Sequence, residues 1–403
     1  MSEPLIKPFK ALLYEPSRIG DIGQCVCPPY DIISDPSPYY SRSPYNTINL
    51  EVPFEKNGIT KYDMAAQTLE QWLAQGIVKY DQRETIYLYE QEFSVGGKNY
   101  VRKGIIPLVR LDRERILTHE ETRREAREDR ERLIGTMKTY TSLIFSLYED
   151  RQDKIAEALS SCQKEKIYDF VDELAITNRF YRMSKASEIE QVARLLDSED
   201  LYIADGHHRL SVAFKLGLPY VAIFLSPMHQ EGIVILPYHR TVKLKRPRSL
   251  DELLRAVEPY FVVERQPLST IAAATERIAG ETSPAYILYP HADPSNLYLL
   301  TQKVPFFVDP AVPQTLRELK VNIGHAGVLK GLLGVADDEF SFTNEANEAV
   351  DETRKGIFDF AFLVPPTTVG EVKGVADHHL YMPPKSTYFY PKILSGLVFY
   401  KYA

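Results

Sequence analysis

The spacing of apolar residues changes several times along the chain, and each change marks an element. Met64, Ala65, Leu69, Trp72 and Leu73 recur at helical spacing and stop near Gly76, which predicts a helix over 61–76. Over 85–95 the pattern alternates, with Ile86 and Leu88 against Tyr87 and Tyr89. Gly96-Gly97 then supplies a two-residue primed turn, and 99–111 returns as the second strand of a hairpin. Residues 118–135 are charged with a helical pattern, and Thr118 and Glu121 stand at capping-box spacing. A buried strand is predicted at 140–148 and helices at 152–162 and 187–196. The short apolar strand 201–204 runs into Asp205-Gly206 and then into a helix, 208–216, stopped by Gly217 and Pro219. Strands at 220–225 and 233–238 follow.

Two stretches break this regularity. Residues 1–60 are rich in Pro, Tyr and Ser; Cys27-Pro28-Pro29-Tyr30-Asp31 and Asp35-Pro36-Ser37-Pro38 cannot be interior helix, because proline removes a donor and restricts its predecessor. The run Lys243-Leu244-Lys245-Arg246-Pro247-Arg248 reads as a linker. Beyond it, short strands (259–263, 285–289, 297–301, 358–364) alternate with helices (250–257, 269–279, 314–334, 345–355, 367–376). The expected fold is α+β (mixed α/β). One region spans 1–242. A smaller α/β domain spans 243–403, and its tail, 383–397, is expected to pack back on the first region.

Bulk numbers narrow the function. The length of 403 residues suggests two or three domains. With 48 basic and 55 acidic residues the net charge is −7, which disfavours a general nucleic-acid coat. No nucleic-acid partner is expected, and a homodimer is compatible with the sequence. The three cysteines, Cys25, Cys27 and Cys162, make neither a disulfide framework nor a zinc set, and fit a reducing compartment. The N-terminal residues lack the apolar core of a signal peptide, and no stretch approaches the roughly 20 apolar residues of a membrane span. A cytoplasmic protein without a membrane partner is expected.

The sharpest chemical feature is Asp205-Gly206-His207-His208-Arg209 between a strand and a helix. Glycine at the turn lets backbone approach a ligand, and the first amides of the helix form an anion site at the positive end of its dipole. Arg209 can bind phosphate in a bidentate manner. Asp205 can hold a metal or act as a base, and His207 or His208 can exchange protons near neutral pH. The plainer reading is a tight turn in which Asp205 only caps the helix. Adjacent histidines do not suit one metal, so no zinc site is expected.

Other candidates are less sharp. Glu120, beside His119, could serve as a base or merely place acid at a helix start. Arg123, Arg127 and Arg130 share one helical face, either as a solvated ion-pair face or as an arginine rail for an anion. His239 and Arg240 either share the main pocket or are core residues. Lys385 and Ser386, in Lys385-Ser386-Thr387-Tyr388, either close an anion site or form a plain turn. His378-His379 lacks the glycine and arginine of the main loop and reads as surface chain. No P-loop, dinucleotide-binding glycine motif or serine-hydrolase elbow occurs.

PPYD near position 30, HEET followed by EDRERL, IFSLYED, ADGHHRLSVA, LPYHR, and PPKSTYFYPK with SGLV together resemble the bacterial and archaeal family catalogued as domain of unknown function 1015. The strand–DGHHR–helix unit is similar to the signature loop of the ParB/sulfiredoxin-like fold, which includes free-serine kinases using ADP or ATP, sulfiredoxin and CTP-binding ParB proteins. The resemblance covers roughly residues 1–240. It implies a ParB/sulfiredoxin-like core in which Gly206, His207, His208 and Arg209 contact nucleotide phosphates, with Asp205 beside them through Mg²⁺. It also implies an upstream glutamate base, for which Glu51 and Glu120 are candidates and Glu120, within a motif, is preferred. The expected function is an ADP- or ATP-dependent small-molecule kinase acting on serine or a related hydroxyl metabolite. The alternative is a non-catalytic nucleotide-binding regulator. Arg209→Ala is expected to abolish binding without unfolding the protein.

Overall fold

The computed structural model describes residues 3–122, 124–183, 185–305 and 311–403. Of the arginine face, Arg123 lies outside the described residues. The chain divides into two compact units: 1–118, 122–234 and 391–403 form the first, and 119–121 and 235–390 the second.

The first unit is built on a mixed ten-stranded sheet. Tyr87–Val95 and Lys98–Ile106 form the expected hairpin, in register from Tyr87↔Ile106 to Val95↔Lys98. A second hairpin, Lys164–Val171 with Thr177–Met183, extends the sheet on the Tyr87–Val95 side. It was not expected, because charged residues such as Lys164, Glu165 and Lys166 dilute its apolar pattern; Tyr168, Phe170 and Phe180 turn inward. On the other side, Tyr220–Pro227 pairs parallel with Ile144–Tyr148, which pairs antiparallel with Leu201–Asp205. Ile144, Ile203, Val221, Ile223 and Leu225 meet Leu210, Val212 and Ala213 of the helix His207–Lys215 in the core. The tail joins this unit through paired bonds between Leu12 and Phe399 at 3.0 Å and a bond from the Gly396 amide to the Thr141 carbonyl at 2.9 Å.

The charged helix runs Arg124–Met137, so the Thr118–Glu121 capping box does not form. His119–Glu121 belongs to the second unit, where the His119 carbonyl accepts the Met382 amide at 2.9 Å. Residues 118–122 are not helical.

The second unit carries a six-stranded antiparallel sheet, in the order Phe261–Pro267, Asn296–Gln302, Ala285–Pro290, Phe360–Leu363, His239–Val242, Phe340–Thr343. Alternate residues of its central strands enter two cores. Tyr286, Leu288, Phe360 and Phe362 face one, while Ala285, Ile287, Tyr289 and Leu363 face the other. The single helix expected over 314–334 is broken into Gln314–Arg317, Lys320–Asn322 and a π-helix, Ile323–Leu332. Gly324, Gly327 and Gly331 weaken α-helical geometry there. Gly324 also packs so closely that a Cβ would stand 2.8 Å from Cε1 of Tyr286. Among the described residues, no helix is long and apolar enough to cross a membrane.

Candidate functional site

The strand Leu201–Asp205 ends at the turn, and the helix His207–Lys215 begins one residue later. Gly206 makes this possible with φ +89°, a backbone state that L side chains rarely adopt. A Cβ there would also lie 3.1 Å from the Arg209 guanidinium. Gly206→Ala is therefore expected to cost about 1–2 kcal/mol. Urea unfolding checks this, and an unchanged midpoint would contradict it.

Asp205 does not cap the helix; Gly206 occupies the N-cap without a side-chain bond. Asp205 instead accepts from two cations. Arg209 Nη2 donates to Oδ2 at 2.7 Å, and Lys392 Nζ donates to Oδ1. Burial opposes its charge, but Lys392 and Arg209 hold the carboxyl well below the usual carboxylate range. Arg209, only 2% exposed, also donates from Nη1 to the Leu143 carbonyl, and its own carbonyl accepts from Tyr140 Oη at 3.2 Å. Burial disfavours the guanidinium, but Asp205, then Asp31, Glu51 and Tyr30, outweigh it and raise its basicity. Arg209 is thus a keystone of the fold here. That burial adds a stability cost to Arg209→Ala beside the expected loss of binding.

Four further segments of the first unit converge on the loop. Glu51, 2% exposed in the short helix Ile48–Glu51, accepts from Thr141 Oγ1 and stands 3.7 Å from Arg130 Nη1. Arg130 Nη1 also donates to the Glu51 carbonyl at 2.8 Å, and Nη2 donates to Asp129 Oδ2 at 2.6 Å. Its guanidinium lies 4.0 Å from the Tyr30 ring centroid. Among the described residues, Tyr30 Oη is buried without a hydrogen-bond partner, and burial pushes its ionisation far up. The arginine face is therefore divided in role: Arg130 is buried in this cluster. Lys392 comes from the tail, whose backbone is fixed by Arg102 donating to the Pro391 carbonyl and Gln91 Nε2 donating to the Lys392 carbonyl at 3.3 Å.

His207 is buried and His208 half-buried. Burial lowers His207 to about 4 despite Asp205 beside it, so at neutral pH it is an uncharged imidazole. Its folded pKa lies below the ordinary value near 6.5, so the unfolded chain binds the proton first as pH falls. Burial acts the same way on His239, lowered to about 3, and on His325, lowered to about 4. Stability is expected to be full above about pH 6.5 and to fall toward pH 4 by up to about 1.4 kcal/mol per pH unit for each histidine. Denaturant midpoints at pH 7 and pH 4.5 test this; equal midpoints would contradict it.

The other sequence candidates lie in the second unit. Glu120 belongs to it, so of the two candidate glutamates only Glu51 shares a unit with the loop. His239 and Arg240 begin the strand His239–Val242, and both are buried. Ser386 Oγ donates to the Pro383 carbonyl at 2.6 Å, while the Ser386 carbonyl accepts from Thr367 Oγ1 at 2.9 Å. Lys385 Nζ sits 5.1 Å from the Tyr238 ring centroid. Among the described residues, no group of three or more His, Cys, Asp or Glu is placed to hold a metal ion. Asp205, with each oxygen on a cation, does not fit the metal-ligand role expected of it.

Sequence reasoning missed Lys392, Tyr30, Asp31 and Thr141 as members of this cluster. Tyr30 and Asp31 end PPYD, and Lys392 ends PPKSTYFYPK. The signal was present, but nothing in the sequence said that those ends meet the loop.

The family model described as "Protein of unknown function (DUF1015)" matches residues 6–321. No curated protein matches. Among solved structures, a conserved hypothetical protein from Pyrococcus furiosus aligns at 14% identity and a TM-score of 0.36, over 71% of this chain and 92% of that one. A free serine kinase in complex with AMP aligns at 14% and 0.39, over 72% and 92%. SbnI from Staphylococcus aureus, truncated at its C-terminus, aligns at 12% and 0.39, over 73% and 86%.

Proposed function

The chain belongs to the DUF1015 family, and from that premise we propose that its first unit is a nucleotide-dependent phosphotransferase, ADP or ATP to the hydroxyl of serine or a related metabolite. The core is read as ParB/sulfiredoxin-like on the strength of the strand–DGHHR–helix unit. The observation that carries the proposal is one cluster of a glycine turn at a helix start, two cations on Asp205, and a buried carboxylate, Glu51, close enough to act on Arg209.

Each part has a task in such a transfer. Gly206 lets phosphate oxygens approach the backbone, and the amides at the start of the helix face them with the positive end of its dipole. Lys392 is the cation that moves: on phosphate arrival it exchanges Asp205 for a phosphate oxygen, while Arg209 keeps Asp205 and the loop in place. Glu51 accepts the proton of the acceptor hydroxyl. Catalysis of this kind is mostly positioning and charge compensation. Asp205 being occupied, Mg²⁺ belongs with the nucleotide rather than with a protein-held site.

A second reading, a nucleotide-binding regulator without turnover, is favoured by one observation. Glu51 is already engaged by Thr141 and Arg130. The two readings separate on turnover: radiolabelled ATP or ADP with serine gives labelled phosphoserine under the first and none under the second, while nucleotide binds in both.

A further inference from the structure

Three sequence motifs take no part in that chemistry: HEET, LPYHR and PPKSTYFYPK up to Tyr390. The structure gathers His119–Glu121 of the first, and the other two, inside the second unit. His119 Nε2 lies 3.2 Å from Thr387 Oγ1, and Arg240 Nη2 donates to the Lys385 carbonyl at 3.3 Å. Tyr238 packs edge-on against Tyr388, with ring centroids 5.4 Å apart.

At its centre the gathering holds a buried cation, Arg240, beside the backbone of Lys385. Arg240 is 0% exposed, and its guanidinium donates to the backbone carbonyls of Tyr238 and Lys385. Its Nε is buried without a partner among the described residues. No carboxylate pairs with Arg240 or with Lys385 among the described residues, whereas in the first unit Arg209 has Asp205 and Arg130 has Glu51 and Asp129. The Phe342 ring lies 5.5 Å from the Arg240 guanidinium, and the His325 ring lies 6.5 Å from Phe342. Nδ1 of His325 is likewise buried and unpartnered among the described residues.

Two backbone features accompany these side chains. His325 stands in the π-helix Ile323–Leu332, a form that recurs at functional sites. Lys385 has φ +56°, a strained state for a residue with a side chain. A buried guanidinium without an acid is costly, and an arriving anion recovers much of that cost.

We infer that the second unit carries its own binding site for a phosphate-class oxyanion, held by Arg240, Lys385 and His325. Arg240 and Lys385 supply the charge, and His325 donates a hydrogen bond. Ser386 and Thr387 hold the turn that presents Lys385. The site is independent of the Asp205 loop, so it stands or falls separately from the phosphotransferase reading.

The test is NMR of the full-length chain with ¹³C-labelled histidine rings, titrated with inorganic phosphate at pH 7 and constant ionic strength. His325 is assigned by the signal lost in His325→Gln. Its ring signal is expected to move saturably. Lys385→Met, at a half-buried position that folding should tolerate, weakens the apparent affinity at least about tenfold. Lys392→Met, in the first unit, leaves the response intact. Failure of the signal to move, an unchanged affinity in Lys385→Met, or loss of the response in Lys392→Met would each overturn the site. Equal saturation by acetate would overturn its phosphate class.

Discussion

Arg209→Ala is expected to lose both nucleotide binding and about 3–5 kcal/mol of stability. The residue holds Asp205 at 2.7 Å, donates to the Leu143 carbonyl, and is 2% exposed. Truncation strips one of two cations from Asp205 and leaves a carbonyl unsatisfied beside a cavity. Asp31 and Glu51 also lose the positive charge they face. Urea unfolding reads the stability and calorimetric titration with ADP reads the binding. A variant as stable as wild type would show that the loop tolerates an uncompensated Asp205, and the keystone assignment would be wrong.

Glu51→Gln is expected to behave differently: nucleotide affinity within a few-fold of wild type, with turnover reduced about 10²- to 10⁴-fold. The amide keeps the shape and can still accept from Thr141, but it cannot take a proton. Replacing one member of the Arg130 pair costs some stability, so folding is checked by the denaturant midpoint alongside the rate. Glu120→Gln serves as the comparison and is expected to leave turnover near wild type. Equal losses in both variants would place the base elsewhere.

The regular elements were legible where period and punctuation agreed. The helix Lys61–Ala74 and the hairpin around Gly96-Gly97 stand where apolar spacing put them. The second hairpin escaped because its charged outer residues hide the alternation. The capping box at Thr118 does not form: residues 118–122 are not helical, and the His119 carbonyl accepts the Met382 amide instead. The loop itself was visible, since a strand, a glycine turn and a helix are all local signals.

Its surroundings were not, because they depend on long-range closure. Lys392 reaches Asp205 across 187 residues of chain. Within the same motif Lys385 and Ser386 drew attention for their density of polar groups, and they belong to the second unit. Glu120 was preferred to Glu51 for its adjacency to His119, which is a fact of sequence and not of space. The proposal of Glu51 as the base rests on its packing beside Thr141 and Arg130, which only the folded chain shows.

The most direct test of the central claim is a thermal-shift measurement with ADP and ATP on wild type and on Lys392→Met. A ligand that binds only the folded protein raises its melting temperature by mass action. The account predicts a rise for wild type that is largely lost in Lys392→Met, because the variant keeps the side-chain volume and removes the cation that phosphate would take. No rise with either nucleotide, or the same rise in both proteins, would contradict it.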